Sequence, residues 1–209
     1  DVLGSGEWLA APLQDQWLIG STRWMSLLTN QSRFFRVVSI TMNRGEVISS
    51  NLLQTIPKSV LTALFSANGI PITAQYDVKS YAAYYYTVTP DGLPTRASMA
   101  FVMPSGSSKA FPLVSYQHGT EFLTNKVASR QDGEYLLGLA FASAGYVVSM
   151  PDYLGMGSGS GMHPYVHSRS EATASVDAIR SARILSQKLG VNLNGQPRLL
   201  PQNENEHKD

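Results

Sequence analysis

Two apolar stretches, each followed by a helical pattern, constrain this sequence more than any other feature. The first stretch is Phe111 to Tyr116, and the pattern after it predicts a helix over residues 133–144 that Gly145 ends. The second is Tyr146 to Met150, and a helix is predicted from Ser168 to Leu189. Strand, helix, strand and helix in succession are typical of an α/β fold with a parallel sheet and crossover helices.

Apolar spacing also predicts which side of the long helix is buried. Its inner face is expected to carry Val176, Ile179, Ala182, Ile184, Leu185 and Leu189. The helix over 133–144 is apolar on more than one side, so we expect it to be largely covered.

A hairpin and a short helix are predicted upstream. Aromatic and β-branched residues fill Tyr81 to Thr89, the Pro90-Asp91-Gly92 turn follows, and a second strand pattern covers Ala97 to Met103. These antiparallel strands are expected at one edge of the sheet. Pro57 begins a helical pattern that ends at Asn68.

Composition excludes several classes of function. The net charge is +1, so the electrostatic footprint of a nucleic-acid-binding protein is missing. With no cysteine, the chain has neither disulfides nor thiolate catalysis. No run of about 18 apolar residues is present to predict a membrane-spanning helix.

Three regions are predicted along the chain. Residues 1–43 form a poorly defined N-terminal segment, where Trp17 to Leu28 are compatible with an interfacial amphipathic helix or with a loosely packed leader. Residues 44–196 hold a partial α/β domain, and residues 197–209 form a polar tail.

Ligands of an open parallel sheet bind beyond the carboxyl ends of its strands, and two loops occupy such positions. In the first, residues 117–120, Gly119 tolerates a positive φ and a close ligand, so its neighbouring N–H groups can face an oxyanion. A plain strand-ending turn is the alternative. The second loop, residues 151–163, is rich in glycine but has no lysine after Gly161, so it predicts a flexible surface loop rather than a phosphate site.

The histidine pair His163 and His167 has the spacing of two metal ligands on one helix face. Pro164 lies between them and disfavours a regular helix through both. Polar loop and cap roles are therefore favoured over a metal site, and no cofactor is predicted.

Four stretches in order resemble the bacterial α/β-hydrolases related to secretory lipases and esterases. They are Pro90-Asp91-Gly92, Val114-Ser-Tyr-Gln-His-Gly-Thr120, Gly145-Tyr-Val-Val-Ser-Met-Pro-Asp-Tyr-Leu-Gly-Met-Gly157, and His163-Pro-Tyr-Val-His167 with the helix that follows. The resemblance covers about residues 45–196. It implies a carboxylic-ester hydrolase that uses serine acyl transfer, an α/β-hydrolase fold with a mostly parallel sheet and an antiparallel N-terminal hairpin, and an ester or lipid substrate.

The resemblance also implies roles for particular residues. The backbone N–H of Gly119 or Thr120 would be an oxyanion donor. His118, Asp152 and Tyr153 would support the loops of the cleft. Family members are commonly exported, so a secreted or periplasmic location and a role in lipid degradation are expected.

The serine nucleophile of this family sits in a G-x-S-x-G turn, and no such motif occurs in the 209 residues. Ser158 and Ser160 lie in the glycine-rich loop and are not assigned as nucleophiles. We therefore expect a domain truncated before the triad and assign it no catalytic residue. The alternative is an inactive fragment that acts, if at all, as a binding module. In either case Tyr146 to Met150 is expected to leave an unpaired sheet edge that favours self-association.

Overall fold

A computed structural model describes residues 42–159 and 161–195 with their side chains, and the backbone of three strands before them. These strands, β1 (Gln16–Ile19), β2 (Thr22–Leu28) and β3 (Arg33–Ser39), form an antiparallel sheet in the order β1-β2-β3. The interfacial helix considered for this segment is wrong, because strands occupy it. The polar tail predicted at 197–209 lies outside the described residues.

The main sheet has five strands in the order β4-β5-β6-β9-β8. Their bounds are Val47–Ile56 for β4, Asp77–Val88 for β5, Pro94–Ser105 for β6, Leu113–Ser115 for β8 and Val147–Pro151 for β9. Helices cover both faces of this sheet, so the predicted α/β architecture is confirmed.

The prevailing strand direction needs a correction. Only β8 and β9 pair in parallel within this sheet, whereas β4 with β5, β5 with β6, and β6 with β9 pair antiparallel. A mostly parallel sheet was expected because the prediction counted one hairpin. The prediction did not include β4, because the polar stretch from Ser49 to Asn51 gives little strand signal. It also did not include the antiparallel pairing of β6 with β9.

The predicted helices are confirmed. They are α1 (Lys58–Ala67), α2 (Tyr135–Ser143) and α3 (Ser168–Lys188). Two further strands, β7 (Ala110–Phe111) and β10 (Asn192–Leu193), form a small parallel sheet. No helix in the described part of the chain is long and apolar enough to cross a membrane.

The core has two halves, one on each face of the main sheet. Because side chains alternate along a strand, β6 sends Ala100 and Val102 to one face and Met99 and Phe101 to the other. The first half packs against α1 and α2, and the second packs against α3. The sheet is therefore a rigid base for the loops that leave its strand ends.

The buried face of α3 differs in part from the predicted one, since Ala182 and Leu185 are buried and Leu189 packs against the core as predicted, but the other three are not buried. Val176 is 45% exposed, and Ile179 and Ile184 are only partly buried. The residues that the helix buries are small or polar, apart from one leucine: Ser170, Ala174, Ser175, Asp177, Ala178, Ser181, Ala182, Leu185 and Ser186. This face turns inward because Asp177 is anchored by Thr87 of β5, and small side chains let the helix approach the sheet.

The edge of the sheet also lies elsewhere than predicted. Strand β9 pairs with β6 on one side and β8 on the other, with Val148 opposite Val114. The predicted unpaired edge at Tyr146 to Met150 is therefore wrong. Strand β8 is the edge beside β9, and it has no second neighbour among the residues that the structure describes.

Candidate active site

Parallel pairing brings two loops together at one edge of the sheet. Since β8 and β9 run in the same direction, the chain leaves both strands at neighbouring points. The loop after β8 carries His118, Gly119 and Thr120, and the loop after β9 begins with Asp152 and Tyr153. Nε2 of His118 lies 3.4 Å from the carbonyl oxygen of Asp152. The two loops therefore form one site.

Gly119 and Thr120 form the open part of this site. Both are exposed. Within residues 42–159 and 161–195, neither backbone N–H donates a hydrogen bond to any acceptor. Gly119 is not in the left-handed region, so the positive φ considered for it does not occur. A Cβ at this glycine would meet no atom within 4 Å. Its surroundings are open to a ligand, and two free donors border that space.

Tyr153 supports the loop from below. Its ring centroid lies 4.5 Å from that of His118, and its hydroxyl donates a 3.3 Å hydrogen bond to the His118 carbonyl oxygen. Burial, with smaller contributions from Glu171 and Glu134, raises the pKa of Tyr153 to about 12, so the hydroxyl keeps its proton at neutral pH. Tyr153 has a φ of 67°, an uncommon conformation for a residue other than glycine. Tyr153 is buried, and its ring lies beside those of His118 and His163.

The His118 ring faces two carbonyl oxygens. Nδ1 lies 2.7 Å from the Gly119 oxygen, and Nε2 lies 3.4 Å from the Asp152 oxygen. A carbonyl oxygen only accepts, so the short contact places a proton on Nδ1. The histidine therefore stabilises the conformation of the loop. Its shorter hydrogen bond runs from Nδ1 to the carbonyl oxygen of Gly119, the next residue.

Asp152 lies beneath the loops and does not face the open space. Its side chain is fully buried. Oδ2 accepts a 2.6 Å hydrogen bond from the Ser98 hydroxyl, and Oδ1 accepts one of 3.2 Å from the Ser129 N–H. Burial raises the pKa of this carboxyl; the bonds from Ser129 and Ser98 and the nearby His118 oppose the rise without cancelling it. The sequence suggested a support role for Asp152 but gave no indication of its two serine partners.

The first part of the glycine-rich loop, residues 151–156, is buried, which corrects the prediction of a surface loop for that part. Gly157 has a φ of 61°, and a Cβ there would collide with the Asp152 carboxylate. Its N–H donates to the Thr124 oxygen at 2.7 Å, and its own carbonyl accepts from Arg130 at 3.3 Å. The Ser158 N–H donates to the Ser98 hydroxyl oxygen at 3.0 Å. Glycine is required at position 157 because the side chains of Asp152 and Ser98 approach its backbone closely, and not because the loop has to move.

The two histidines of the metal hypothesis have separate structural roles. Nδ1 of His163 lies 2.8 Å from the Leu154 carbonyl oxygen. His167 is the N-cap of α3, and its Nδ1 accepts a hydrogen bond from the Ser170 N–H. In the described ranges, no group of three or more histidine, aspartate or glutamate side chains could hold a metal ion. The cap role favoured by the sequence is confirmed for His167.

Two aromatic residues that the sequence analysis did not single out lie beside the loop. Phe122 follows Thr120 by two positions, and its ring stacks on that of Tyr165 with centroids 6.4 Å apart and planes inclined by 29°. The Tyr165 hydroxyl donates a 2.8 Å hydrogen bond to the Glu121 carbonyl oxygen. An aromatic residue two positions after the His-Gly-Thr motif was the signal that could have identified Phe122.

Solved structures of two bacterial proteins are similar to this chain. One is a ligand-bound form of the rice cell wall degrading esterase LipA from Xanthomonas oryzae. It has a TM-score of 0.66 and 34% identity, over 74% of this chain and 41% of that one. The other is a candidate hydrolase from Legionella pneumophila. It has a TM-score of 0.65 and 32% identity, over 70% of this chain and 41% of that one.

The chain thus spans about 41% of the length of the solved structures that it matches. No family model matches the sequence, and no curated protein matches it. The similarity therefore rests on the shared fold and on about one-third sequence identity to these two solved structures.

Proposed function

Because the chain is an α/β-hydrolase related to lipases and esterases, we propose that it provides the oxyanion-binding part of a carboxylic-ester hydrolase. The observation that carries the proposal is the pair of exposed N–H groups of Gly119 and Thr120, which have no hydrogen-bond acceptor among the residues that the structure describes. They stand at the carboxyl end of a strand in a parallel pair, where α/β sheets bind ligands.

The proposed chemistry is serine acyl transfer. A serine attacks the ester carbonyl, a histidine moves the proton, and an acidic residue orients the histidine. Negative charge then develops on the carbonyl oxygen, and N–H groups about 2.7–3.1 Å away stabilise it. Gly119 and Thr120 would supply such donors, while His118, Tyr153 and Asp152 fix their position. None of the triad residues is assigned to this sequence, which contains no G-x-S-x-G motif.

The substrate belongs to the ester class in this proposal. The Xanthomonas relative is an esterase that degrades rice cell walls. For the present chain, export to the periplasm or the medium and a part in lipid degradation belong to the same proposal. Fractionation of cells that express the gene, with antibody detection of the chain, tests the location.

Activity measurements test the proposal in two steps. Alone, the purified chain is expected to hydrolyse p-nitrophenyl butyrate no faster than a denatured control. Fused in place of the matched part of LipA, it is expected to restore turnover. In that fusion Thr120→Pro removes the N–H, whereas Thr120→Ala keeps it, so the proline variant should lose roughly 100-fold in kcat relative to the alanine variant.

Two results would contradict this proposal. Turnover by the chain alone that follows the protein peak would require a nucleophile within these residues. Equal kcat for the proline and alanine variants of an active fusion would show that the Thr120 N–H does not hold the oxyanion. The same pair of substitutions at Gly119 tests the second donor, since a Cβ there meets no neighbour.

Self-association through a sheet edge is also proposed, now at β8. Leu113 and Val114 of this edge are only partly buried. Strand β4, the opposite edge, carries two irregularities in its pairing, and such irregularities discourage edge-to-edge association. Sedimentation of the chain and of a Val114→Lys variant tests the proposal; a variant that associates as strongly as the parent would contradict it.

A further inference from the structure

A cavity of about 190 Å³ lies between the turn that joins β5 to β6, the chain just before β4 and the beginning of α3. Pockets for drug-sized ligands measure about 300–1,000 Å³, so this cavity has room for a small group only. Its polar lining residues are Arg44, Thr89, His167, Arg169, Ser170 and Thr173. None of the lining residues belongs to the candidate active site, so a ligand here is independent of the proposed function.

The charged side chains of the lining all have the same sign. They are the guanidinium groups of Arg44 and Arg169, and no aspartate or glutamate of the described chain lines the cavity. Two positive charges that share a small cavity repel each other. An anion placed between them removes this repulsion, so the cavity favours a negatively charged ligand over a neutral or cationic one.

A buried carboxylate orients Arg44. The Nε of this arginine donates a 3.0 Å hydrogen bond to Oδ2 of Asp177, which is fully buried. Asp177 shares its charge with Arg180, which binds Oδ1, so it does not neutralise Arg44 alone. The terminal nitrogens of Arg44 donate to no acceptor among the residues that the structure describes. Arg44 is therefore fixed through Nε and keeps its terminal N–H groups for a ligand.

Arg169 supplies the second set of donors. Its side chain is exposed, and it has no hydrogen-bond or ion-pair partner within residues 42–159 and 161–195. Glu171, the acidic residue of the same helix turn, does not line the cavity, and its charge acts instead on the pKa of Tyr153. No neighbouring acid of the lining therefore takes the place of an anion at Arg169.

The shape of the donors selects the class of anion. A guanidinium group presents paired N–H groups that match the oxygens of a phosphate or a carboxylate. Two guanidinium groups match an anion with two charges and more than two oxygens. The hydroxyls of Ser170 and Thr173 already donate to helix carbonyl oxygens, so the arginines are the main contacts. We propose that the cavity binds a phosphate group, as free phosphate or as a phosphate monoester, through Arg44 and Arg169.

Calorimetric titration of the full chain with inorganic phosphate tests the proposal. Saturable binding of one phosphate per chain is expected. Arg169→Gln removes a charge-assisted contact and should weaken this binding roughly fivefold or more. Because Arg169 is exposed, the variant should fold like the parent. Arg44→Lys keeps the charge but not the paired N–H groups, so it should also weaken binding, by roughly threefold.

The chain offers a matched control on the same helix. Arg183→Gln removes the same charge about 21 Å further along α3, at about 1.5 Å per residue. At an ionic strength of about 0.1 M the Debye length is about 10 Å, so this variant should change phosphate affinity less than about 1.5-fold. Glycerol 3-phosphate distinguishes the two sources of the group. Binding tighter than that of inorganic phosphate supports a phosphate monoester, and weaker binding supports free phosphate.

Three results would overturn the proposal. The first is a titration with phosphate that shows no saturable heat beyond that of sodium chloride at the same ionic strength. The second is an equal loss of affinity in Arg169→Gln and Arg183→Gln, which would show a diffuse effect of net charge. The third is acetate binding as tightly as phosphate, which would show that the cavity does not select an anion with two charges.

Discussion

The hydroxyl of Ser98 donates a 2.6 Å hydrogen bond to the carboxylate of Asp152, which lies 54 residues later in the chain. The same carboxylate accepts from the Ser129 N–H, and the Ser98 oxygen also accepts from the Ser158 N–H. One buried acid thus joins β6, the 3-10 helix at Ala128–Arg130 and the glycine-rich loop. The site above it depends on this junction.

Loss of the Asp152 carboxylate is therefore expected to be costly. Asp152→Ala leaves the Ser129 N–H and the Ser98 hydroxyl without their acceptor, and unsatisfied buried groups cost about 1–3 kcal/mol each. We expect the free energy of unfolding, measured in urea, to fall by roughly 2–4 kcal/mol. Asp91→Ala, at an exposed turn position, is the control and should change it by less than about 0.5 kcal/mol. An equal loss of unfolding free energy in the two variants would contradict the proposal that Asp152 joins these three elements.

The pH dependence of this site has a defined sign. Burial raises the pKa of Asp152 above 3.8 in the folded chain. The folded state then binds the proton more tightly, so this group's contribution to stability is fully present below the unfolded pKa and is lost as pH rises through the folded pKa. The unfolding free energy of the parent minus that of Asp152→Asn should therefore be largest below pH 3.8 and should fall as pH rises above that value. Urea titrations of both proteins measure it, and a difference that rises with pH would contradict the assignment.

Two glycines of one loop offer a matched comparison. Gly157 and Gly161 both have positive φ, but a Cβ at Gly157 collides with Asp152 and Ser98, whereas one at Gly161 meets nothing within 4 Å. Gly161→Ala should cost only the backbone strain, about 1 kcal/mol. Gly157→Ala should cost at least about 2 kcal/mol more, because overpacking is added to the strain. Thermal unfolding of both variants provides the test; equal losses would show that the loop can move away.

The sequence predicted those parts of the fold that depend on neighbouring residues. The hairpin of β5 and β6 and the three helices follow from local periodicity and from turn residues such as Pro90 and Gly92. The order of the strands does not follow from local periodicity, since it depends on which distant strands pair with β9, the strand that contains Val148. The inner face of α3 was predicted from apolar spacing, yet Asp177 turns inward because its partner Thr87 lies 90 residues earlier.

The candidate site shows the same division. The two loops were predicted because each follows a predicted strand and parallel strands end at one edge, whereas the support roles of His118 and Asp152 came from the family resemblance. The partners of Asp152 were not predicted, because Ser98 and Ser129 are ordinary serines until the fold places them beside it. The glycines of the second loop suggested mobility, whereas tertiary contacts around Gly157 give it a packing role that the sequence alone does not reveal.

The buried carboxylate of Asp177 leads to the last prediction. It is fully buried and accepts from Thr87 at 2.8 Å, from Arg44 at 3.0 Å and from Arg180 at 2.6 Å. The two arginine side chains are 42% and 49% exposed, so both can return to water when the acid is removed, but the buried Thr87 hydroxyl cannot. Asp177→Ala should therefore lower the unfolding free energy by about 3 kcal/mol, much of it through Thr87.

A double-mutant cycle isolates that contribution. Thr87→Val keeps the shape of the side chain but removes the hydroxyl, so the valine leaves no donor unsatisfied when Asp177 is replaced as well. The loss in Asp177→Ala with Thr87→Val should be smaller than the sum of the two single losses by about 1 kcal/mol or more. Arg180→Ala alone should cost less than about 1 kcal/mol, because it removes a half-exposed partner while Arg44 and Thr87 still hold the carboxylate. Additive losses for Asp177 and Thr87 in urea unfolding would show instead that the ion pairs, and not the buried hydroxyl, anchor α3 to β5.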